Sequence, residues 1–464
     1  MSTTIPQLTT LMQEILLTQA AATARSSGFV QRQSKLTGPL FAQTLVFGWW
    51  SQPAATLDDL ADTAALLGCD LSPQALDDRF TPAAATFLRG LLEATLAQAA
   101  PAAPVALALL HRFAAVLVAD GTVITLPPSL AEVWSGCGHA TGASAALKLL
   151  LELDLLRGGV TGVLTAGRVA DRTAATALPP APTGCLRLRD LGFFNIRHFA
   201  AWDAAGDFWL SRLAMQASVL DLAGQELDLP TWLAAQSGEA GERVILLGQA
   251  EQLRCRLLWQ RVPPVIAEAR RAGLLAEALR RGVPVSPRGW QLAGWTLLLT
   301  NTSGAQLSLG EALVLLRARW EVELLFKRWK SLGAVDEWRS RKPWRVLCEV
   351  YAKLLGLVLQ HRIIAAGSWQ RAERSLWRLG RRLQRYGLLL ASAWGQARQV
   401  RRVLRQMVRV VGRRYGITKR ATEPALYQLL QDPGLLPTKQ AATVARLTKA
   451  QERDRIPPPE SRAA

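Results

Sequence analysis

The stretch Val116-Leu117-Val118-Ala119-Asp120-Gly121-Thr122-Val123-Ile124-Thr125-Leu126 has the β-branched density of a buried strand, with one charge, Asp120, inside it. A carboxylate in that setting is costly unless it is paired or bound to a cation. The strand therefore marks a sheet and a candidate site together. Two more strands are expected downstream, Leu147 to Leu156 and Val160 to Val169, joined by the tight turn Arg157-Gly158-Gly159. A short helical piece follows around Asp171 to Leu178, then a strand from Cys185 to Leu188 that ends at Asp190. A helix from about Ile196 to Ala204 and a strand from Phe208 to Leu213 complete the order β-β-β-α-β-α-β.

Working outward, residues from Leu8 to about Leu96 read as helical, with polar breaks at Ser26-Ser27-Gly28 and Ser51-Gln52-Pro53. Thr56 is placed to cap a helix whose first turn holds Asp58 and Asp59, as in a small helix-turn-helix; a simple helical bundle fits equally well. On the far side, residues 216–294 interrupt the regular order with strand-like runs (Val244 to Leu247, Leu253 to Trp259) and a helical run from Val265 to Arg281. The strand Trp295 to Asn301 resumes it. Ser308 and Glu311 form an S-x-x-E capping box, which predicts one long helix from about Leu309 to Leu332, ending at Gly333. Helices continue to about residue 430, and Ile456-Pro457-Pro458-Pro459-Glu460 reads as a disordered tail.

Charge narrows the function. The 464 residues are half apolar, which excludes a disordered chain, and carry 55 Lys or Arg against 36 Asp or Glu, a formal +19. Residues 1–110 hold five basic and eight acidic groups, a net −3. Residues 313–420 hold 26 basic and six acidic groups, a net +20, and so carry the whole excess. Arg371, Arg374, Arg378, Arg381, Arg382, Arg385 and then Arg401, Arg402, Arg405 and Arg409 recur at helical spacing. Basic stripes of this kind suit a phosphate backbone, so the expected partner is nucleic acid. Five scattered cysteines without a CxxC pair support neither a disulfide framework nor a Cys-based zinc site and fit a reducing cytosol. The first residues lack the basic start of an export signal, and the longest apolar run is broken by His111 and Arg112, so no membrane span is expected.

On the long helix, Arg319, Glu323 and Lys330 lie four and seven residues apart, within about 40° of one another on the helical wheel. An ordinary surface ion pair gives the same spacing. The apolar rest of the helix, with Trp320, Val322, Leu324, Leu325, Phe326 and Trp329, favours a charged stripe facing a cleft. Asp120 and Asp190 are the acids best placed to join Glu323, because in an RNase H-like order the first and fourth strands are neighbours and a later helix crosses them. Three carboxylates a few ångströms apart raise one another's pKa unless cations intervene. Hard oxygen ligands favour two Mg²⁺ or Mn²⁺ ions, which suit in-line phosphoryl transfer.

Asp120-Gly121-Thr122, Asp190-Leu191-Gly192-Phe193-Phe194 and the run from Arg319 to Ser331 resemble the three blocks of insertion-sequence DDE transposases of insertion-sequence family four. The last block is similar to the family signature Y-x2-R-x3-E-x6-K, with Leu316 at the tyrosine position. The likeness extends loosely over residues 25–430, including Phe29-Val30-Gln31-Arg32 and Gln74-Ala75-Leu76-Asp77-Asp78-Arg79-Phe80. It implies an α/β fold: an RNase H-like mixed sheet flanked by helices and interrupted by a β-rich insertion, with all-α N-terminal and basic helical C-terminal regions. Asp120, Asp190 and Glu323 would be the catalytic metal ligands, and Arg319, Lys330, Lys327 and Arg328 the phosphate-binding cations. The implied activity is cut-and-paste transposition on double-stranded DNA, at terminal repeats and at a target, by a homodimer in a synaptic complex of the bacterial cytoplasm and nucleoid. A nuclease that cuts without joining strands, or an inactive DNA-binding relic, remain the alternatives.

The expected organisation is a DNA-binding helical domain over 1–100, an RNase H-like core over 105–215 and 295–345, the insertion over 216–294, a basic helical region over 346–440 and a basic tail over 441–464. Among rival acids, Asp171 is expected to cap a helix, and Glu152 and Asp154 to face solvent. His111, His139, His198 and His361 form no ligand motif. For Trp290 and Trp295 core packing is the preferred reading, with stacking of either on an unpaired base the alternative.

Overall fold

The computed structural model describes residues 5–32, 35–100, 102–138, 144–413 and 423–455. The chain forms two compact units, one from residues 1–110, 115–182 and 320–417, the other from 111–114, 183–319 and 418–464. His139 and the stretch Ile456 to Glu460 lie outside the described residues.

The first unit opens with helices whose starts are written in the sequence. Thr37, Ser72 and Thr81 each cap a helix with a proline in its first turn, and Thr56 and Asp59 form a reciprocal capping box. Strands β1 (Val116–Leu126), β2 (Ala145–Asp154) and β3 (Val160–Ala166) then make antiparallel pairs in the order β3-β2-β1, with Asp120 opposite Leu151. Nearly all of β2 is buried on both faces, Lys148 and Glu152 included, which corrects the expectation that Glu152 faces solvent. Asp154 is half-buried rather than solvated: its Oδ1 accepts from the Leu156 N–H at 2.9 Å, and burial raises its pKa. Alternating polarity is a poor guide in a strand covered on both sides.

The core of this unit is the helix Pro343–Ser368, apolar almost all round and packed against the helices Gly38–Ser51, Pro82–Leu96 and Ala397–Gly412. Gly158, in the β2–β3 turn, has φ +70°, and a Cβ there would lie 2.3 Å from Trp369. Backbone conformation and close approach both demand glycine.

In the second unit, β4 (Leu186–Arg189) and β5 (Phe208–Arg212) run parallel, connected through the helix Ile196–Ala204. Strands β6 (Val219–Leu220), β7 (Ala240–Leu247), β8 (Leu253–Arg261) and β9 (Trp295–Thr300) extend the sheet in the order β4-β5-β9-β8-β7-β6. The stretch 216–294 thus adds its strands to the same sheet through β8 and β9, with Leu257 opposite Leu299. It also shares a core with what precedes it: Phe199 stacks on Trp209 at 4.4 Å, in one cluster with Ile245, Leu257 and Trp259.

The expected long helix is two helices, Leu309–Ala318 and Trp320–Gly333. Its capping box forms as predicted, and Arg112 grips Glu311 with two bonds of 2.9 and 2.7 Å. The interruption falls at Arg319, which keeps helical dihedrals (φ −54°, ψ −31°) at the boundary between the two units. Among the described residues no helix is long and apolar enough to cross a membrane.

Candidate active site

Asp120 stands half-buried near the middle of β1, where its Oδ1 accepts the Gly121 N–H at 2.9 Å. The helix Trp320–Gly333 packs on β1 and carries Glu323, also half-buried, in its first turn. Two of the three acids thus sit on neighbouring elements of one unit. Lys330, two turns beyond Glu323, donates from Nζ to the Val123 carbonyl of β1 at 3.3 Å.

Asp190 belongs to the second unit. It follows β4, and its Oδ1 accepts the Gly192 N–H at 2.8 Å, starting the short turn Leu191–Phe193. Because β4 pairs with β5 so that Arg189 faces Ser211, Arg212 comes level with Asp190. Burial and the nearby Arg319 lower the Arg212 pKa, while the Asp190 carboxylate opposes them. Asp190, Arg212 and Arg319 therefore form one electrostatic group. Sequence reasoning passed over Arg212, although two parallel strands of known register bring their ends together. A cleft of about 310 Å³ opens beside them, lined by Leu191, Arg212, Arg270 and Trp295.

The cations on the Trp320–Gly333 helix divide. Lys327 is exposed, with its ammonium 5.8 Å from the ring centre of Trp320, itself half exposed. Arg328 is buried, its Nη2 3.4 Å from His361 Nδ1, so it faces the protein interior and is removed from the expected phosphate-binding set. The wheel contains the reason: Arg328 is five residues from Glu323, about 140° away, on the flank that packs.

Asp171 does not cap its helix. It pairs with the buried Lys148 at 2.7 Å, and its Oδ1 lies 3.0 Å from where a Gly121 Cβ would stand. Asp171 thus lies beside the strand that bears Asp120, with its carboxylate already neutralised by an ammonium. Trp295 packs against the core of the second unit, and Trp290 is 38% exposed with the Arg271 guanidinium 5.5 Å from its ring centre. His361 is buried, His198 half-buried and His111 exposed.

The two N-terminal segments singled out in the sequence meet. The Arg79 guanidinium lies 4.7 Å over the Phe29 ring and donates to the Phe29 carbonyl at 3.4 Å. Clefts of about 650 and 600 Å³ flank the wall Val30-Gln31-Arg32, the first reaching Arg79 and the second Arg25. Three of the five basic residues of the first 110 are gathered here.

Asp120, Asp190 and Glu323 are all hard oxygen donors, the ligand type that suits Mg²⁺ chemically. Among the described residues, no group of three or more His, Cys, Asp or Glu side chains is gathered closely enough to hold a metal ion.

Residues 111–359 match the family described as "Transposase DDE domain". The chain is 26% identical to the transposase for insertion sequence element IS231F of Bacillus thuringiensis subsp. israelensis, over 72% of this chain and 75% of that one. It is 28% identical to the transposase of IS231C from Bacillus thuringiensis subsp. berliner, over 72% and 75%. With the transposase of IS1151 from Clostridium perfringens the identity is 23%, over 74% and 76%.

Proposed function

The chain belongs to the DDE-domain transposases, and from that premise we propose that it moves its element by a cut-and-paste route on double-stranded DNA. Asp120, Asp190 and Glu323 would together hold two divalent cations. When bound, such ions activate an oxygen nucleophile and neutralise charge on the leaving oxygen. Arg319, Lys330 and Lys327 hold the backbone phosphates around the scissile bond, where ionic hydrogen bonds fix the phosphorus for in-line attack. In the first step water attacks that phosphorus and the bond to the element's 3′ oxygen breaks, leaving a 3′-hydroxyl on the element and a 5′-phosphate on the flank. In the second, that hydroxyl attacks a target phosphodiester, so one P–O bond forms as another breaks.

The observation that carries the reading is the packing of the Trp320–Gly333 helix on β1, the two elements that bear Glu323 and Asp120, with Lys330 bonded across to the strand. Recognition of the element ends is assigned to residues 1–100, where the Arg25, Arg32 and Arg79 clefts lie, and nonspecific grip to the basic helices after Lys330. Joining two ends calls for a homodimer. The decisive experiment is cleavage of a duplex carrying the repeats that flank the gene, with Mg²⁺ present. Asp120→Ala, Asp190→Ala and Glu323→Ala are each expected to lower cleavage by at least about a thousandfold while leaving DNA binding intact. Full activity of the Asp190→Ala protein would remove Asp190 from the site.

A further inference from the structure

The turn that ends the Trp320–Gly333 helix is held in an unfavourable conformation. Ala334 has φ +45°, the left-handed region usually taken by glycine just past a helix. Its N–H still closes on the Lys330 carbonyl at 2.9 Å. What holds it is Lys353, buried in the Pro343–Ser368 helix, whose Nζ donates to the carbonyls of Ala334 at 3.0 Å and Glu337 at 2.8 Å. Glu349, one turn earlier and equally buried, neutralises that ammonium at 2.8 Å. Neither charge is left unpaired in the interior, which is the condition for a buried ion pair to be tolerated.

Between the two clamped carbonyls stands Asp336, whose Oδ2 lies 3.7 Å from the Lys330 Nζ. Lys330 is thus held from two sides, by Asp336 and by the Val123 carbonyl of β1. The two held groups differ in strength. Lys353 is enclosed and makes three short contacts, whereas both partners of the Lys330–Asp336 pair are 36% exposed and their separation is long. An exposed pair of that kind is weak, so another singly charged anion can replace the carboxylate.

We propose that Asp336, presented by the buried Glu349–Lys353 pair, is the resident counter-ion of Lys330, and that a DNA backbone phosphate displaces it when substrate binds. Asp336 and Lys353 are then positioning residues that keep the Lys330 side chain extended beside β1 before DNA arrives. This rests on the reading of Lys330 as a phosphate ligand, and the experiment separates the two ideas.

The first measurement uses the DNA-free full chain and follows acetylation of individual lysines by mass spectrometry. Asp336→Asn, and the double replacement Glu349→Leu with Lys353→Met, which leaves no lone buried charge, are each expected to raise Lys330 labelling about two- to fivefold with Lys327 unchanged. An unchanged Lys330 rate in Asp336→Asn overturns the counter-ion, and a rise there without one in the double variant removes Lys353 from the device. The second measurement titrates a duplex of arbitrary sequence. Asp336→Asn should tighten binding about two- to fivefold in the natural protein and not at all in a Lys330→Gln background. An equal gain in both backgrounds marks a general charge effect and overturns displacement. Binding by Lys330→Gln as tight as the natural protein's sinks the phosphate role itself, while the labelling still reports on the ion pair.

Discussion

His361 is kept neutral by the geometry of its two ring nitrogens. Nε2–H donates to the Gly158 carbonyl at 2.9 Å, so Nδ1 carries the lone pair, and Arg328 Nη2 faces it at 3.4 Å. A proton on Nδ1 would set two cations against each other in a site closed to water. Burial first, then Arg328, with smaller contributions from Arg374 and Arg362, lowers the His361 pKa to about 3, against the Gly158 bond. The unfolded chain, at an ordinary histidine pKa near 6.5, takes up a proton that the folded one refuses. The stability from this residue is complete above about pH 6.5 and is lost as pH falls toward the folded value. Between pH 7 and 5 it should cost roughly 2 kcal/mol of unfolding free energy. Chemical denaturation of the natural protein and of His361→Gln across that range checks it: the variant is expected to lack this part of the acid loss, and equal pH slopes would contradict the geometry.

At the scale of single elements, the helix Ala397–Gly412 divides cleanly. Val400, Leu404, Met407 and Val411 are buried, while Arg398, Arg401, Arg402, Arg405 and Arg409 are exposed. The helix contains no acid. If four of these guanidiniums each neutralise one phosphate, replacing Arg398, Arg402, Arg405 and Arg409 by Ala together should flatten the slope of log K against log salt by about 3 to 4, leaving the packed face intact. A slope that does not change would place the DNA elsewhere. This amphipathic pattern was legible in the sequence because a helix face repeats locally. So were the capping boxes at Thr56 and Ser308 and the Arg157-Gly158-Gly159 turn, whose causes lie within a few residues. What the sequence hid depends on distant partners. Burial of Arg328 needs His361 across the helix pair, burial of Glu152 needs both faces of β2 covered, and the break at Arg319 falls where one unit gives way to the other. Of the candidate site, the Asp120 strand and the Glu323 helix were legible; the placement of Arg212 and the contacts of Asp336 and Lys353 were not, since register and a buried clamp set them.

For the molecule as a whole, the distribution of charge bears on which reaction the site completes. A nuclease needs to hold one DNA segment, whereas a strand-transferring enzyme holds an element end and a target together. Within the first unit the cations include Arg25, Arg32 and Arg79 at the N-terminal clefts and the arginines of the 397–412 helix. Along the chain the net charge is −3 over residues 1–110 and +20 over 313–420. A mildly acidic region with a few cations gathered at its clefts suits selective contact, because general attraction to any phosphate is low there, while a strongly basic one binds without regard to sequence. That division fits an end and a target better than a single substrate. With pre-cut duplexes ending in the element's free 3′-hydroxyl, plasmid target and Mg²⁺, the protein is therefore expected to yield covalently joined products. A dideoxy 3′ terminus should abolish them, because the attacking oxygen is gone. Nicking of uncut flanked repeats without any joining of pre-cut ends would instead assign the same carboxylates to a hydrolase, in which water is the only nucleophile the site accepts.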